Sequence, residues 1–519
     1  MSAKWKLFGG RAPRQQPEAR AHGHQTKKDL ARLTIPDRDT AHSGAVYRKG
    51  ERIGRVYEVL GVLGVGGFSV VYLVYSHENQ QAYALKTLRD TFLRDEETRG
   101  QFRQEAKLWI HLERHPYIVT ANFIEELGGR LYIGMEYVAP DEDGLNSLEG
   151  HLANRPPDLP QSLRWSVQFC HGMEYARDRG IRCHRDVKPA NIMISQERIV
   201  KITDFGFADV LDVSRHHHRL EFLGRRRRGK EDEAAGFGTP AYMPPEQFRN
   251  AQRCDERSDV YSFGVVLFQL ASRGRLPFPE KPAQAREQSA GTMWRDMHQM
   301  HTESMIPTLA SPLYPIIQRC MQKDPSRRYQ SFRELRKDLD ALMLRVTGER
   351  IEPHQTEELE AWELYNKAFS LASLGHLDEA IAYYDKVLAL EPKNTNAWNN
   401  RGACFRKQGK MREALNSYDR AIEADRHNVS AWNNKGSLLM AAGKVTEAIV
   451  QFNKAIELDG TNELGWLSRA MAEDRLGLKQ EAAQSFQKFL DLKPTQLGQH
   501  VAHARKRLGE LTGKKWGSA

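Results

Sequence analysis

From Tyr57 onward, apolar residues fall into short alternating runs, VYEVLGVLG, VVYLVYS, AYALKTL and LYIGMEYV, with the length and β-branched content of strands. One run of helical period, FRQEAKLWIHLERH, interrupts them. Past residue 160 the helical period takes over. The pattern predicts a small sheet-rich lobe followed by a larger helical lobe, with a cleft between the two as the place for a ligand. Residues 1–50 show little apolar period and are rich in Arg, Lys, Gln, Pro and Gly, which predicts a flexible basic arm. His22 and His24 within it have no Cys or acidic co-ligand close by and make a weak metal motif.

Beyond residue 345 a second regularity begins. Trp398, Trp432 and Trp466 stand 34 residues apart, and the same interval relates Gly375, Gly409, Gly443 and Gly477. Ala380, Ala414, Ala448 and Ala482 keep it too, as do the aromatics Tyr384, Tyr418, Phe452 and Phe486, with Pro392 and Pro494 at repeat ends. This resembles the tetratricopeptide repeat, in which each 34-residue unit is a pair of packed helices. Four units fit, 361–394, 395–428, 429–462 and 463–496, with Leu364 in place of the first Trp. Residues 346–360 read as a linker, and 497–519 as a capping helix and tail. The resemblance implies a groove for an extended peptide or a partner's helix, and Tyr365, Asn399, Asn433 and Leu467 are the positions expected to face it. That set lacks a basic clamp for a C-terminal carboxylate. A spacer or a dimerisation arm is the plainer alternative.

A chain of 519 residues is too long for one hydrophobic core, so the two regions read as separate domains. The net charge of +10 arises from 77 basic and 67 acidic residues, largely interspersed, and nucleic acid is not expected as a partner. The longest apolar run, VYSFGVVLFQLA, falls short of the ~18–20 residues of a membrane span. MSAKWKLFGGRAPRQQ lacks the apolar centre of a secretory signal, so the expected location is cytoplasmic. Cysteines 170, 183, 254, 320 and 404 have neither paired spacing nor CxxC and read as reduced packing residues.

Four motifs carry chemistry. LGVGGFSVVY places Gly64, Gly66 and Gly67 between two strands, where backbone amides can approach phosphate oxygens, although Ser69 stands where a third glycine is often found. By itself such a hairpin is more often just a turn. Its strand–turn–strand setting argues against a dinucleotide fold, which needs strand–turn–helix. Lys86 lies in an apolar strand, and Glu105 follows 19 residues later in the helical run. An ammonium held by a carboxylate can orient nucleotide phosphates. HRDVKPAN supplies Asp186 to accept or orient a hydroxyl proton, Lys188 to neutralise a transferring phosphoryl group, and Asn191 as a neutral oxygen ligand. In TDFGFAD, the Asp204 carboxylate suits Mg²⁺, a hard cation.

In this order, the motifs make residues 55–345 resemble a eukaryotic-type Ser/Thr protein kinase domain of the bacterial branch, and the implied fold is α+β, a bilobal kinase followed by an all-α solenoid. The resemblance implies catalytic roles for Lys86, Glu105, Asp186, Lys188, Asn191 and Asp204, with Mg²⁺ on Asn191 and Asp204. ATP is implied against Leu63, Gly64, Val65, Gly66, Gly67, Phe68, Ser69, Val70 and Val71, against Ala84 and Lys86, and against Met135, Glu136 and Val138. Met135 is implied at the gate of the pocket, with the backbone of Glu136 and Val138 at the adenine. GTPAYMPPE resembles the substrate-facing loop, DVYSFG the buried helix that anchors both loops, and Arg328 the partner of Glu246. Lys188 in KPAN and Thr239 in the GTP motif resemble the Ser/Thr class.

The segment from Asp204 to Glu246 is long, 43 residues counting both ends, and carries HHH (216–218), RRRR (225–228) and EDE (231–233). Arg185 before Asp186 calls for an anion that orders this segment, and the expectation is phosphorylated Ser214 or, failing that, the 231–233 carboxylates. The expected function is phosphoryl transfer from ATP, with Mg²⁺, to protein Ser/Thr hydroxyls. The repeats would recruit a peptide or protein partner. A nucleotide-binding scaffold, with its function in the repeats, is the rival from another class, and dimerisation stays open.

Overall fold

The computed structural model describes residues 47–205, 240–250, 253–279, 290–352, 359–494 and 498–513. It divides into two compact units that meet in sequence at Glu358 and Leu359. Readings that fall on the N-terminal arm before Tyr47, on Ser214, on the three charged runs and on Thr239 lie outside the described residues.

The first unit opens with an antiparallel sheet of β1 (Arg52–Ile53), β2 (Tyr57–Val65), β3 (Ser69–Ser76), β4 (Gln81–Leu88), β5 (Ala121–Leu127) and β6 (Arg130–Glu136). Their order is β1-β2-β3-β4-β6-β5. Strand period puts Tyr57, Val59, Val62, Val70, Tyr72, Val74, Leu85 and Phe123 into one apolar cluster. The register of β2 on β3 slips after Val59 and again after Val62. Gly134 in β6 has to be glycine, because a Cβ there would stand 2.2 Å from the Phe123 ring. Residues 47–50, which the sequence pattern assigns to the arm, belong to this lobe. Tyr47 meets Tyr72 edge to face with centroids 5.8 Å apart, and Gly50 N–H donates to Val59 O at 2.8 Å. The β5 run, ANFIEEL, has too little alternation to announce itself and is defined by pairing with β6.

Helix α1 (Glu96–His111) starts six residues before the predicted helical run and ends at His111, since Glu113 turns into the left-handed region at φ 51°. The helical lobe follows with α2 (Leu148–Asn154), α3 (Leu159–Asp178), α4 (Pro245–Arg249), α5 (Glu256–Ser272), α6 (Ala290–Glu303), α7 (Tyr314–Cys320) and α8 (Phe332–Thr347). A two-stranded ladder, β7 (Ile192–Ile194) with β8 (Val200–Ile202), lies at its edge. The apolar VYSFGVVLFQLA run is the centre of α5, buried on nearly every side. Asp255 and Ser258 cap α5 reciprocally, and Arg273 at φ 57° ends it.

In the second unit, each 34-residue period is a helix pair: α9 (Ala361–Leu374) and α10 (Leu377–Leu390), α11 (Thr395–Lys407) and α12 (Met411–Ala424), α13 (Val429–Ala441) and α14 (Val445–Leu458), α15 (Glu463–Arg475) and α16 (Lys479–Asp491). A final helix, α17 (Gly498–Thr512), buries Ala504 and Leu508 against Phe486 and Phe489 of α16. The periodic residues have local reasons. Gly375, Gly409, Gly443 and Gly477 turn between paired helices at φ 74–91°, which a side chain resists. Ala380, Ala414, Ala448 and Ala482 are fully buried, as are the aromatics four residues later. The tryptophans are only partly buried, Trp466 resting against the edge of the last repeat's core. Each indole N–H donates to the carbonyl six residues upstream, at 2.9 Å for Trp398, Trp432 and Trp466 alike.

The groove assignment needs correction. Tyr365, Asn399 and Leu467 are buried, and only Asn433 of the four is partly exposed. Tyr365 OH and Asn399 Oδ1 accept hydrogen bonds from Asn400 and Asn434 of the following repeat, at 2.8 and 2.9 Å. These positions join one repeat to the next. A further period escaped the sequence reading: the basic residues Lys367, Arg401, Lys435 and Arg469 also recur every 34 residues. Arg401 reaches Asp385 at 2.7 Å and Lys435 reaches Asp419 at 2.6 Å, each a residue of the preceding repeat.

Candidate active site

Lys86 lies in β4, paired with Val71 of β3 and Ile133 of β6, and its side chain is buried. Its Nζ stands 2.6 Å from Glu105 Oε1 on α1 and 2.6 Å from Asp204 Oδ1. Burial alone lowers an ammonium's pKa, but here the two carboxylates outweigh it and hold Lys86 above the usual lysine value. The same ammonium holds the Asp204 carboxyl below its ordinary value, although burial works against this. The structure thus brings together an ammonium and a carboxylate that are 118 residues apart in sequence, each favouring the charged form of the other.

Asp186 and Asn191 lie between α3 and β7, in a loop that ends in a single tight turn, Pro189–Asn191. Asp259, buried in α5, accepts from the amides of His184 at 2.6 Å and Arg185 at 2.8 Å. Those two bonds hold Arg185 at φ 65°, and Asp204 stands at φ 64°, both in a region that non-glycine residues visit at a cost of ~1–3 kcal/mol. The Asp186 carboxylate receives Lys188 Nζ at 2.9 Å and Asn191 Nδ2 at 2.8 Å. Burial raises the Asp186 carboxyl above the ordinary aspartate value, and the Lys188 charge opposes this only in part. Asp186 and Asp204 are therefore driven in opposite directions, one toward taking a proton and one away from it.

Above these groups, the glycine hairpin joins β2 to β3. Gly64 pairs with Val71 and Val65 with Val70, and Gly66 N–H closes the turn on Ser69 O at 2.8 Å. A Cβ on Gly64 would meet nothing within 4 Å, so the backbone there is open to a ligand. The Phe68 ring meets Phe92 edge-on, with centroids 5.0 Å apart, and Arg89 donates to Gly67 O at 3.2 Å. At the other end, Ala84 pairs with the buried Met135. The Glu136 amide is taken up by Thr120 O at 2.9 Å, and Val138 O accepts from Asn146 at 3.0 Å. The Val138 amide has no partner among the described residues, which leaves it open as a donor at this edge.

One contributor, Trp109, had no motif of its own in the sequence, while His184 and Phe205 stand in HRDVKPAN and TDFGFAD. His184, Phe205 and Trp109 form a row, with ring centroids 4.8 Å and 6.4 Å apart. Trp109 lies one turn after Glu105 on α1, anchors its indole N–H on Val119 O at 3.0 Å, and has Lys86 Nζ 5.7 Å from its ring centre. The helical spacing from Glu105 was the available hint. Arg328 and Glu246 form the expected pair, doubly bonded at 2.6 and 2.9 Å. Gln247 on α4 donates to Arg185 O at 3.0 Å, tying that helix to the Asp186 loop.

Residues 57–338, more than half of the chain, match the model of the protein kinase domain. Residues 361–394, 395–428 and 429–462 match models of the tetratricopeptide repeat. Among curated relatives, the Bacillus subtilis serine/threonine-protein kinase PrkC is 31% identical over 298 residues, covering 56% of this chain and 41% of that one. The Myxococcus xanthus serine/threonine-protein kinase pkn3 is 35% identical over 241 residues, 45% of this chain and 40% of that one. For the Mycobacterium tuberculosis serine/threonine-protein kinase PknB the figures are 32%, 294 residues, 54% and 42%. The chain spans about two fifths of the length of these relatives. No helix among the described residues is long and apolar enough to cross a membrane. The matched kinase model and the bacterial Ser/Thr kinases it resembles agree with the site just described, and the chain belongs to the protein kinase family.

Proposed function

We propose that this chain transfers the terminal phosphoryl group of ATP to Ser or Thr hydroxyls of protein substrates, and that its repeats bring those substrates or a regulator to it. The observation that carries this reading is the Lys86 ammonium held at 2.6 Å by both Glu105 and Asp204. It supports a charged contact to nucleotide phosphates, fixed by α1 on one side and by the metal-side carboxylate on the other.

The donor set suits Mg²⁺. Asn191 uses its amide nitrogen on Asp186, and Asp204 uses Oδ1 on Lys86, so each keeps one oxygen for a hard cation that also takes waters and phosphate oxygens. When bound, the ion offsets charge on the phosphates. The chain does the rest. Asp186 aligns the acceptor hydroxyl and takes its proton as the new oxygen–phosphorus bond forms and the bond to ADP breaks. Lys188, 2.9 Å from Asp186, balances charge on the phosphoryl group in transit. The open backbone at Gly64 and the free Val138 amide support contacts to phosphate and base. KPAN and the Ser/Thr kinase relatives support hydroxyls of Ser and Thr over Tyr, and the cytoplasm is the proposed setting.

Labelled ATP tests this. Wild-type chain with Mg²⁺ marks itself or a generic protein acceptor, and Asp186→Asn lowers kcat by ~10²–10⁴-fold. Because burial raises the Asp186 carboxyl, transfer falls on the acid side at a pH above the ordinary aspartate range, where the protonated group can no longer accept a proton. Wild-type labelling no higher than that of Asp186→Asn, with Mg²⁺ or Mn²⁺, rejects the reading.

A further inference from the structure

Lys201 lies in β8, three residues before Asp204, and its ammonium stands 2.7 Å from Glu136 Oε1 and 3.0 Å from Oε2. Both side chains are largely covered, at 17% and 32% exposure, so solvent screens the pair far less than a surface ion pair. Glu136 is doubly engaged with Thr120: Oε2 accepts the Thr120 amide at 3.2 Å, and the Glu136 amide donates to Thr120 O at 2.9 Å. One residue earlier, Val119 N–H donates to Ile202 O at 2.9 Å, and Ile202 N–H donates to Tyr117 O at 2.9 Å. Val119 O is also the acceptor for Trp109, the α1 residue one turn past Glu105.

These bonds close a ring. Residues 117–120 are its hub, Glu136 is the last residue of β6 before the free Val138 amide, and β8 leads through Thr203 into Asp204. The Lys201–Glu136 pair is the direct link between the edge that would meet the base and the strand that carries Asp204. Without it, the two remain joined through Thr120 and, more remotely, through Asn146, which donates to Val138 O at 3.0 Å and accepts from Ile194 of β7 at 3.0 Å, and the position of Val138 relative to Asp204 loosens.

Resting on the kinase reading above, we propose that Lys201 is a positioning residue for the nucleotide: through Glu136 it fixes the base-contacting backbone against the Asp204 strand, setting affinity and base selectivity rather than the rate of transfer. The base is remote from the reacting phosphorus, so its contacts act equally in the bound state and in the transition state. Their loss appears in KM and leaves kcat in place.

The test uses the full chain and its variants Lys201→Met, Lys201→Arg, Glu136→Gln and Lys201→Met with Glu136→Gln. KM and kcat are measured for ATP and GTP, with ATP affinity by calorimetry. Loss of one charge-assisted pair predicts a rise in KM for ATP of about 5- to 10-fold in Lys201→Met, with kcat within about twofold. The preference for ATP over GTP in kcat/KM falls by a similar factor, Lys201→Arg restores most of it, and the double variant is no worse than the worse single one. A pair with only a structural role would lower the melting temperature and affect both nucleotides alike. That outcome, or an unchanged KM for ATP, overturns the proposal. Should Lys201→Met fail to fold, Lys201→Gln, which keeps a polar head and loses the charge, decides by the same criteria. Calorimetry separates the two readings: a wild-type chain that binds ATP, binds it more weakly as Lys201→Met, and transfers nothing rejects the kinase reading while sustaining this one.

Discussion

The two units bury polar groups in opposite ways. In the kinase unit, the polar contacts that tie the lobe together occur once and join distant parts of the chain: Lys86 to Asp204 across 118 residues, His184 to Asp259 across 75, Arg328 to Glu246 across 82. In the repeat unit the contacts stay within one repeat or reach the next, and they recur. The indole-to-carbonyl bond spans six residues three times, and a basic residue meets a serine 16 residues on in both Arg401–Ser417 and Arg469–Ser485. A contact that exists once has no substitute, and its neighbours are built around it. A contact that exists three or four times shares its load with its copies, so stability there is close to a sum over repeats.

Three substitutions probe that difference. The largest effect is expected for Arg328→Met. Arg328 is fully buried, carries both bonds to Glu246, and also donates to the carbonyls of Gln322 at 2.8 Å, Arg257 at 3.0 Å and Lys323 at 3.2 Å. Removing it leaves the Glu246 carboxylate with only Ser258 as a donor among the described residues and takes a donor from three carbonyls, and chemical denaturation should show the kinase unit losing about 3–5 kcal/mol. A loss below 1 kcal/mol would mean that this unit also has redundancy. Gly436→Ala is intermediate. Its Cβ would lie 2.6 Å from the Phe452 ring, yet Ala368 and Ala470 already occupy the equivalent place in the first and last repeats, so the ring can shift. We expect a loss of about 1 kcal/mol, part of it offset by the better helix propensity of alanine, read from thermal melts of the full chain. Trp432→Phe is the smallest, removing one hydrogen bond to Arg426 O at a partly exposed site for about 0.5–1 kcal/mol. The same change at Trp398 should cost the same within error. Unequal costs would break the idea of interchangeable repeats.

The contrast also explains what could be read in advance. Lys86, Glu105, Asp186, Asn191 and Asp204 stand in short motifs whose residue types and order already imply a phosphoryl-transfer site, and the structure draws their side chains together. Lys201 and Trp109 matter as much but sit in ordinary strand and helix sequence. Nothing in a β-strand VKI or a helical LWI announces a charge clasp or an anchored indole, because their importance comes from what faces them. In the repeats, Gly, Ala and aromatic positions were legible from the 34-residue period. The direction in which Tyr365, Asn399 and Leu467 point was not, since a helix position shows its face only once its neighbours are placed.

From the residues themselves came the strand-to-helix change near 160, the period of 34, and the identity of the groups able to hold phosphate, metal and proton. These are local properties of spacing and chemical type. The folded chain alone decided which carboxylate the Lys86 ammonium shares, that Arg185 and Asp204 are held with positive φ, that the tryptophans cap turns rather than fill the core, and that Lys201 is locked to Glu136. Each of those depends on distance between residues far apart in sequence, and burial then sets the strength of the interaction, because a charge removed from water must find its partner in the fold.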